Sequence, residues 1–255
     1  MQYMFLNREE YNRPLSSRSQ SQQSSLGVSD VVEVSRVGAT GACAGCVLLT
    51  TSVMAALEPC LPLWLAHKFH PARWQTGVVF VPDSIGYLLA ASGGGLAKRI
   101  GTERVALAGQ VCVGAAALCV PLARSVIGLA LPHFALGLGL GAVDAALVPA
   151  LMARGGRYAA PTAALLQTAG SAAYALGPVM GGLLAAAAGF ETTLRTLATI
   201  NLLYAAYLYV KLQAYPLSEQ WGGSSAFQLD SDDDGEVEEG TPLTVVTSNQ
   251  SQHKQ

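Results

Sequence analysis

Between Val37 and Leu212 the chain passes through six apolar runs, and that whole stretch has only five acidic residues, Glu58, Asp83, Glu103, Asp144 and Glu191. A helix crosses the hydrocarbon core of a bilayer with about 20 mostly apolar residues. By that measure the predicted spans are 38–65, 77–97, 105–123, 126–152, 160–188 and 193–212. The first, fourth and fifth are long and interrupted by glycine and proline, as expected where helices bend around a cavity or pass close to one another. Only 13% of the residues are charged, against roughly 25% in an ordinary soluble domain. The expected fold is therefore an all-α membrane protein of six transmembrane helices.

The two ends read differently. Residues 1–36 include the low-complexity stretch SSRSQSQQSS and lack apolar periodicity, so they are expected to be a disordered segment outside the membrane. Residues 213–255 form a second such segment, with seven acids between Asp230 and Glu239. No hydrophobic signal stands near Met1, so the first span is expected to serve as its own insertion signal. Six spans put both ends on one side. That side carries Arg36, Lys98, Arg99, Arg104, Arg154, Arg157 and Lys211, while the other carries Lys68, Arg73, Arg124 and Arg195. The basic excess predicts that both ends are cytoplasmic.

Glu103 and Glu191 fall in predicted loops, which leaves three carboxylates in spans. Asp144 lies in GLGLGAVDAALVPALM with no charged neighbour. A carboxylate at the centre of a membrane helix costs about 2.5 to 3.5 kcal/mol on insertion scales, so such residues usually face a cavity and bind or relay something. A buried structural hydrogen bond is the plain alternative. Glu58 lies in AALEPCLPLW, where Pro59 and Pro62 remove backbone donors and loosen the helix; its alternative is a hydrated place at the membrane surface. Asp83, in FVPDSIGY, reads equally well as a site residue and as an ordinary residue of a helix N-terminus.

Desolvation favours the protonated carboxyl, and a nearby cation favours the ionised one. A buried acid can thus hold a proton when alone and release it when a cationic substrate arrives, which is the core of proton-coupled antiport. Aromatic faces attract a desolvated organic cation by about 0.5 to 2 kcal/mol each. Trp64, Tyr87 and Tyr174 are the candidates, with packing as their ordinary alternative. Cys43, Cys46, Cys60, Cys112 and Cys119 lie in or beside apolar runs and read as buried thiols. The Cys43–Cys46 spacing is that of a redox motif but lacks the strand–turn–helix context. His133 stands alone near the start of a span. No metal, cofactor or nucleic acid is expected, and no nucleophile–base pairing suggests an enzyme.

The order of GGGLAKRIGTER, between the second and third spans, resembles the loop signature of the major facilitator superfamily. More specifically, LEPCLPLW (Leu57–Trp64), RWQTGVVFVPDSIGYLL (Arg73–Leu89), GAVDAALVP (Gly141–Pro149) and YALGPVMGG (Tyr174–Gly182) look like the C-terminal half of a vesicular amine transporter, the monoamine and acetylcholine group of that superfamily. The resemblance covers about residues 46–190. It implies one half of a twelve-helix fold that loads a cationic amine neurotransmitter into synaptic or secretory vesicles in exchange for protons, by alternating access.

Residue by residue, the resemblance implies that Glu58 contacts the substrate amine, that Asp144 serves proton coupling, and that Trp64, Tyr87 and Tyr174 line the pathway. Two positions depart from the family pattern. Gln167 stands where relatives carry an aspartate, and Asp83 where they carry a small neutral residue. Asp83 is therefore a candidate to supply the missing titratable group. The family's six N-terminal helices have no counterpart here, so the expectation is a fragment of a longer transporter, or a half that pairs with another chain. Besides the amine, protons and membrane lipid, that missing half is the expected partner. The alternatives are a plasma-membrane drug or metabolite facilitator and a transport-silent half acting as a binding partner. Ser231, followed by three aspartates, suits an acid-directed kinase; a solvated tail without a defined role is the bland alternative.

Overall fold

The computed structural model describes residues 27–153 and 158–217. The expectations for residues 1–26, for Arg154 and Arg157, and for the tail beyond residue 217, Ser231 included, lie outside the described residues. Among the described residues every regular element is helical. The helices are α1 (Val28–Arg36), α2 (Thr40–Phe69), α3 (Arg73–Val78), α4 (Val81–Ser92), α5 (Gly94–Ile100), α6 (Thr102–Cys119), α7 (Ala130–Met152), α8 (Ala159–Ala188) and α9 (Phe190–Ala214).

Among the described residues four segments are long and apolar enough to cross a membrane: Thr40–Phe69, Thr102–Leu122, Ile127–Met152 and Ala159–Ala188. They match the first, third, fourth and fifth predicted spans. The second expected span is not one helix but three pieces, α3, α4 and α5. Pro82 explains the first break, because it has no N–H to donate and its ring crowds the carbonyl one turn back, that of Val78; α3 ends at that residue. The second break is at Gly93, in a turn of φ −82° and ψ 15°. The sixth expected span corresponds to α9, which has 25 residues but stands outside the four, with Glu191, Arg195 and Lys211 along its length.

The beginning of the chain differs from expectation over Val28–Arg36. There the structure has a nine-residue helix rather than an unstructured segment. Asp30 starts it by accepting from the Gly27 N–H at 3.0 Å, and Val34 is buried where α1 packs against α2 and α8. The closely spaced valines of VSDVVEVSR provide the apolar side. At the other end α9 runs to Ala214, two residues past the predicted boundary at 212, and the Leu217 N–H donates to Glu103 at 2.5 Å.

The helices pack in the order α4, α7, α6, α9, α2, α8. Their shared interior is leucine-rich: Leu57, Leu61 and Leu65 from α2, Leu136, Leu147 and Leu151 from α7, and Leu194 and Leu208 from α9 are all buried. A polar thread crosses it. The Cys46 thiol donates to Gln110 Oε1 at 2.7 Å, and Gln110 Nε2 donates to the Asn201 carbonyl at 3.2 Å, which ties α2, α6 and α9 together. Tyr204 on α9 donates to the Ala42 carbonyl of α2 at 2.9 Å. Of the cysteines expected to be buried, Cys43, Cys46 and Cys60 are, Cys112 is half-buried and Cys119 is exposed.

Two glycine features set the geometry. Gly101 turns the chain from α5 into α6 at φ 107°, a conformation that side chains disfavour. Between α4 and α7 the backbones nearly touch: a Cβ on Gly137 would overlap the Asp83 carbonyl, and one on Gly141 would come within 2.6 Å of the Tyr87 carbonyl. Small residues allow this approach between membrane helices. It fixes the α4 face that carries Asp83 and Tyr87 against α7, which carries Asp144.

Large apolar side chains remain exposed along the outer helices, Leu88 and Leu89 on α4, Leu176, Val179 and Leu183 on α8, and Leu203 and Val210 on α9. Apolar surface of that extent suits lipid or another protein rather than water.

Candidate functional site

A cavity of about 640 Å³ lies among α2, α4, α7 and α8. From α2 it takes Val47, Thr51, Met54 and Glu58; from α4, Asp83, Ser84, Tyr87 and Leu88; from α7, Leu140 and Asp144; from α8, Gln167, Gly170, Ser171 and Tyr174. Each set is a single helical face. On α2 the steps are four, three and four residues, the repeat that returns to one side of a helix.

Of the six residues expected to form the site, five meet here: Glu58, Asp83, Tyr87, Asp144 and Tyr174. Trp64 does not. It sits two turns beyond Glu58, stacked on Phe190 at 4.8 Å and edge-on to Phe69 at 5.6 Å, with the Lys68 ammonium 4.4 Å from its ring centre. Lys68 in turn pairs with Glu191 at 2.9 Å. Six residues at 100° each carry Trp64 well round α2 from the Glu58 face, towards the start of α9. Its neighbours make it a clasp between the ends of two helices.

The lining is unusually one-sided in charge. Among the described residues three carboxylates face the cavity, and no lysine, arginine or histidine does. Among the hydrogen bonds of the described residues they receive one: the Tyr87 hydroxyl donates to Asp144 Oδ2 at 3.1 Å. Tyr87 reaches it because the glycine seam holds α4 against α7. Glu58 is exposed and lines the same cavity as Asp83. Asp83 Oδ1 is shut off from solvent and has no hydrogen-bond partner. The Tyr174 side chain lines the cavity together with all three acids and is half exposed at 54%. Such a site has acceptors in excess of donors, so it is suited to a ligand that brings positive charge and N–H groups.

The lining groups that escaped the sequence reading include Thr51 and Met54 on α2, Ser84 on α4 and Ser171 on α8. Stepping from Glu58 and Tyr174 at helical spacing would have found Thr51, Met54 and Ser171. His133 stays outside the cavity, buried, with Nδ1 at 3.0 Å from the Leu129 carbonyl and its ring edge-on to Phe80. Among the described residues no cluster of His, Cys, Asp or Glu has the geometry to hold a metal ion.

The family model of the Major Facilitator Superfamily matches residues 43–241. Among curated proteins, a synaptic vesicular amine transporter of Bos taurus is 33% identical over 187 residues, covering 69% of this chain and 35% of that protein. A chromaffin granule amine transporter of Rattus norvegicus is 35% identical over 182 residues, with 69% and 35% covered. A vesicular acetylcholine transporter of Mus musculus is 29% identical over 175 residues, with 65% and 32% covered. The chain thus spans about a third of the length of the curated relatives it matches. With its helical membrane architecture and a family match over well more than half its length, the chain belongs to the major facilitator superfamily.

Proposed function

We propose that this chain forms one wall of a proton-coupled antiporter that loads a cationic amine into vesicles, and that it is not an enzyme. The observation that carries the reading is the cavity in which Glu58, Asp83 and Asp144, from three different helices, converge without a basic residue among the described residues of the lining. In this reading Glu58 meets the substrate ammonium, and Tyr87 and Tyr174 offer it aromatic faces. Asp144, oriented by the Tyr87 hydroxyl, exchanges a proton, with Asp83 as a second exchanging group where Gln167 cannot serve. A desolvated carboxyl holds a proton in the empty site and yields it to an arriving cation, so proton and amine occupy the site in turn. Support for a vesicular membrane comes from the amine and acetylcholine transporters that the chain is similar to. The basic residues on one side of the spans favour cytoplasmic ends.

The wall opposite belongs to a partner half, on the same polypeptide or another. Supporting this, the helices of the cavity close on three sides only: α4 and α8 border it without packing together as the other neighbours do, and Tyr174 and Gln167 stand exposed at that gap. Transporters of this architecture rock two halves about a site between them.

The test is proton-gradient-driven amine uptake into vesicles, with the chain alone and with a complementary six-helix half supplied. Glu58→Gln and Asp144→Asn should each lower uptake at least about tenfold, the loss expected for one charged contact in a desolvated site. Undiminished uptake in both variants refutes the mechanism. Uptake by the chain alone, equal to that of the pair, refutes the need for a second wall.

A further inference from the structure

We propose that Gly170 decides how bulky an amine the cavity admits: the missing side chain leaves a notch in the α8 wall that receives the uncharged body of the ligand. The inference rests on the amine-binding reading above and deepens it.

Glycine weakens a helix relative to alanine, so a glycine inside one calls for a reason. On α8 packing supplies it twice. A Cβ on Gly177 would come within 2.8 Å of the Ala55 Cβ, and one on Gly181 within 2.7 Å of the Ala56 Cβ; these glycines let α8 lie close against α2. Gly170 has no such neighbour: outside its own stretch of helix, nothing stands within 4 Å of the place its Cβ would take. Nor is it among the glycines whose positive φ disfavours a side chain. What Gly170 does have is a place in the lining of the cavity, so the unfilled space adjoins that cavity.

Charge decides which part of a ligand lies there. The other three walls each bring one acid, Glu58 from α2, Asp83 from α4 and Asp144 from α7, while α8 brings Gln167, Gly170, Ser171 and Tyr174, all uncharged. An ammonium group is drawn to the acidic walls, which leaves α8 to the rest of the molecule. Gly170 sits one turn from Gln167 and one turn from Tyr174 on the same face of the helix, so the notch is bounded by an amide at one end and a phenol ring at the other. The Tyr174 ring, half exposed, offers an aromatic partner to a flat group seated between them. At about 640 Å³ the cavity falls in the range that encloses drug-sized ligands, which leaves room for a fused two-ring body besides the ammonium group.

The experiment measures the binding of 2-(2-naphthyl)ethylamine and of ethylamine's single-ring analogue, 2-phenylethylamine, to the purified full chain in lipid nanodiscs at neutral pH. The two share one ammonium group and differ by a ring. The naphthyl amine should bind about tenfold more tightly, the gain from burying the added apolar surface. Gly170→Leu should bring the ratio of the two affinities to about one or below, and Gly170→Ala should give an intermediate ratio. Gly182→Leu is the control: its Cβ position is equally open but lies outside the lining, so the ratio should stay near tenfold. Gly170→Ala should also melt no lower than the unaltered chain, since its Cβ meets nothing; a lower melting temperature contradicts the notch. A ratio near one in the unaltered chain, or a ratio that Gly170→Leu leaves in place, overturns the inference. So does an equal loss of both amines in Gly170→Leu, which would mean that the position blocks the site as a whole. The preference should persist with a complementary six-helix half bound; its disappearance would mean that the opposite wall fills the notch, and it overturns the inference too. Failure of the underlying reading looks different: neither amine binds the unaltered chain, or Glu58→Gln leaves both affinities intact.

Discussion

Replacing Gly137 by alanine tests the seam that brings Asp83 and Tyr87 to Asp144. The new Cβ would overlap the Asp83 carbonyl, and it would sit 2.9 Å from the Asp83 Cα. Carbon atoms in contact prefer about 3.5 to 4.0 Å, so α4 and α7 would have to part by roughly 1 Å. All the obstructing atoms are backbone, so no change of rotamer relieves the clash. Overpacking of this kind costs about 1 to 3 kcal/mol, against a gain of about 0.5 to 1 kcal/mol for replacing a helical glycine by alanine. Gly182→Ala on α8 is the matched control, because nothing lies within 4 Å of its Cβ position, and it should show the gain alone. The two variants should therefore differ by about 2 kcal/mol. For a domain of this size that is a gap of roughly 4 to 8 °C in melting temperature, measured on the detergent-solubilised chain by dye-based thermal unfolding. A Gly137→Ala protein that melts at or above the unaltered one would refute the close approach, and with it the placement of Asp83 beside Asp144.

Two further outcomes follow from the contacts. Tyr87→Phe deletes the interhelical hydrogen bond to Asp144; bonds of this type are worth about 0.6 to 1.7 kcal/mol in membrane proteins, so melting should fall modestly and proton-driven uptake should fall with it, whereas unchanged uptake would mean that the bond does not orient the carboxylate. Trp64→Ala should cost about 2 kcal/mol or more by removing the stack on Phe190, while Lys68→Met should cost less than about 1 kcal/mol because its pair with Glu191 is partly exposed; a melting temperature more sensitive to Lys68 than to Trp64 would contradict the clasp.

The membrane architecture was legible because long uncharged runs leave the backbone few options, and four of the six expected spans correspond to long apolar helices. Asp144 was legible for the same reason, as a charge without an evident partner. The partner itself was not: Tyr87 is 57 residues away in sequence, and the contact depends on a glycine seam whose register only the packing of α4 on α7 sets. Trp64 misled because it shares a motif with Glu58, and nearness in sequence says little about which face of a helix a residue occupies. The break before α4 was readable from Pro82, but a hydropathy window averages over it. In α1 the apolar side is too short to stand out by periodicity, and the helix gains its stability from docking on α2 and α8.

The division of the second span into pieces bears on how the protein is made. At 12 residues, α4 is about 18 Å long, far short of the roughly 30 Å of hydrocarbon that a self-sufficient segment must cover. Its breaks expose backbone groups that lipid cannot satisfy, so they are tolerable only against protein or a water-filled space. The segment carrying Asp83 and Tyr87 is thus poorly suited to enter the bilayer unaided while the chain emerges from the ribosome. Its firmest neighbour, α7, is synthesised some forty residues later. Stable insertion of the face that carries Asp83 and Tyr87 therefore awaits a helix not yet made, and substitutions along the glycine seam act during biogenesis before they can affect the finished cavity.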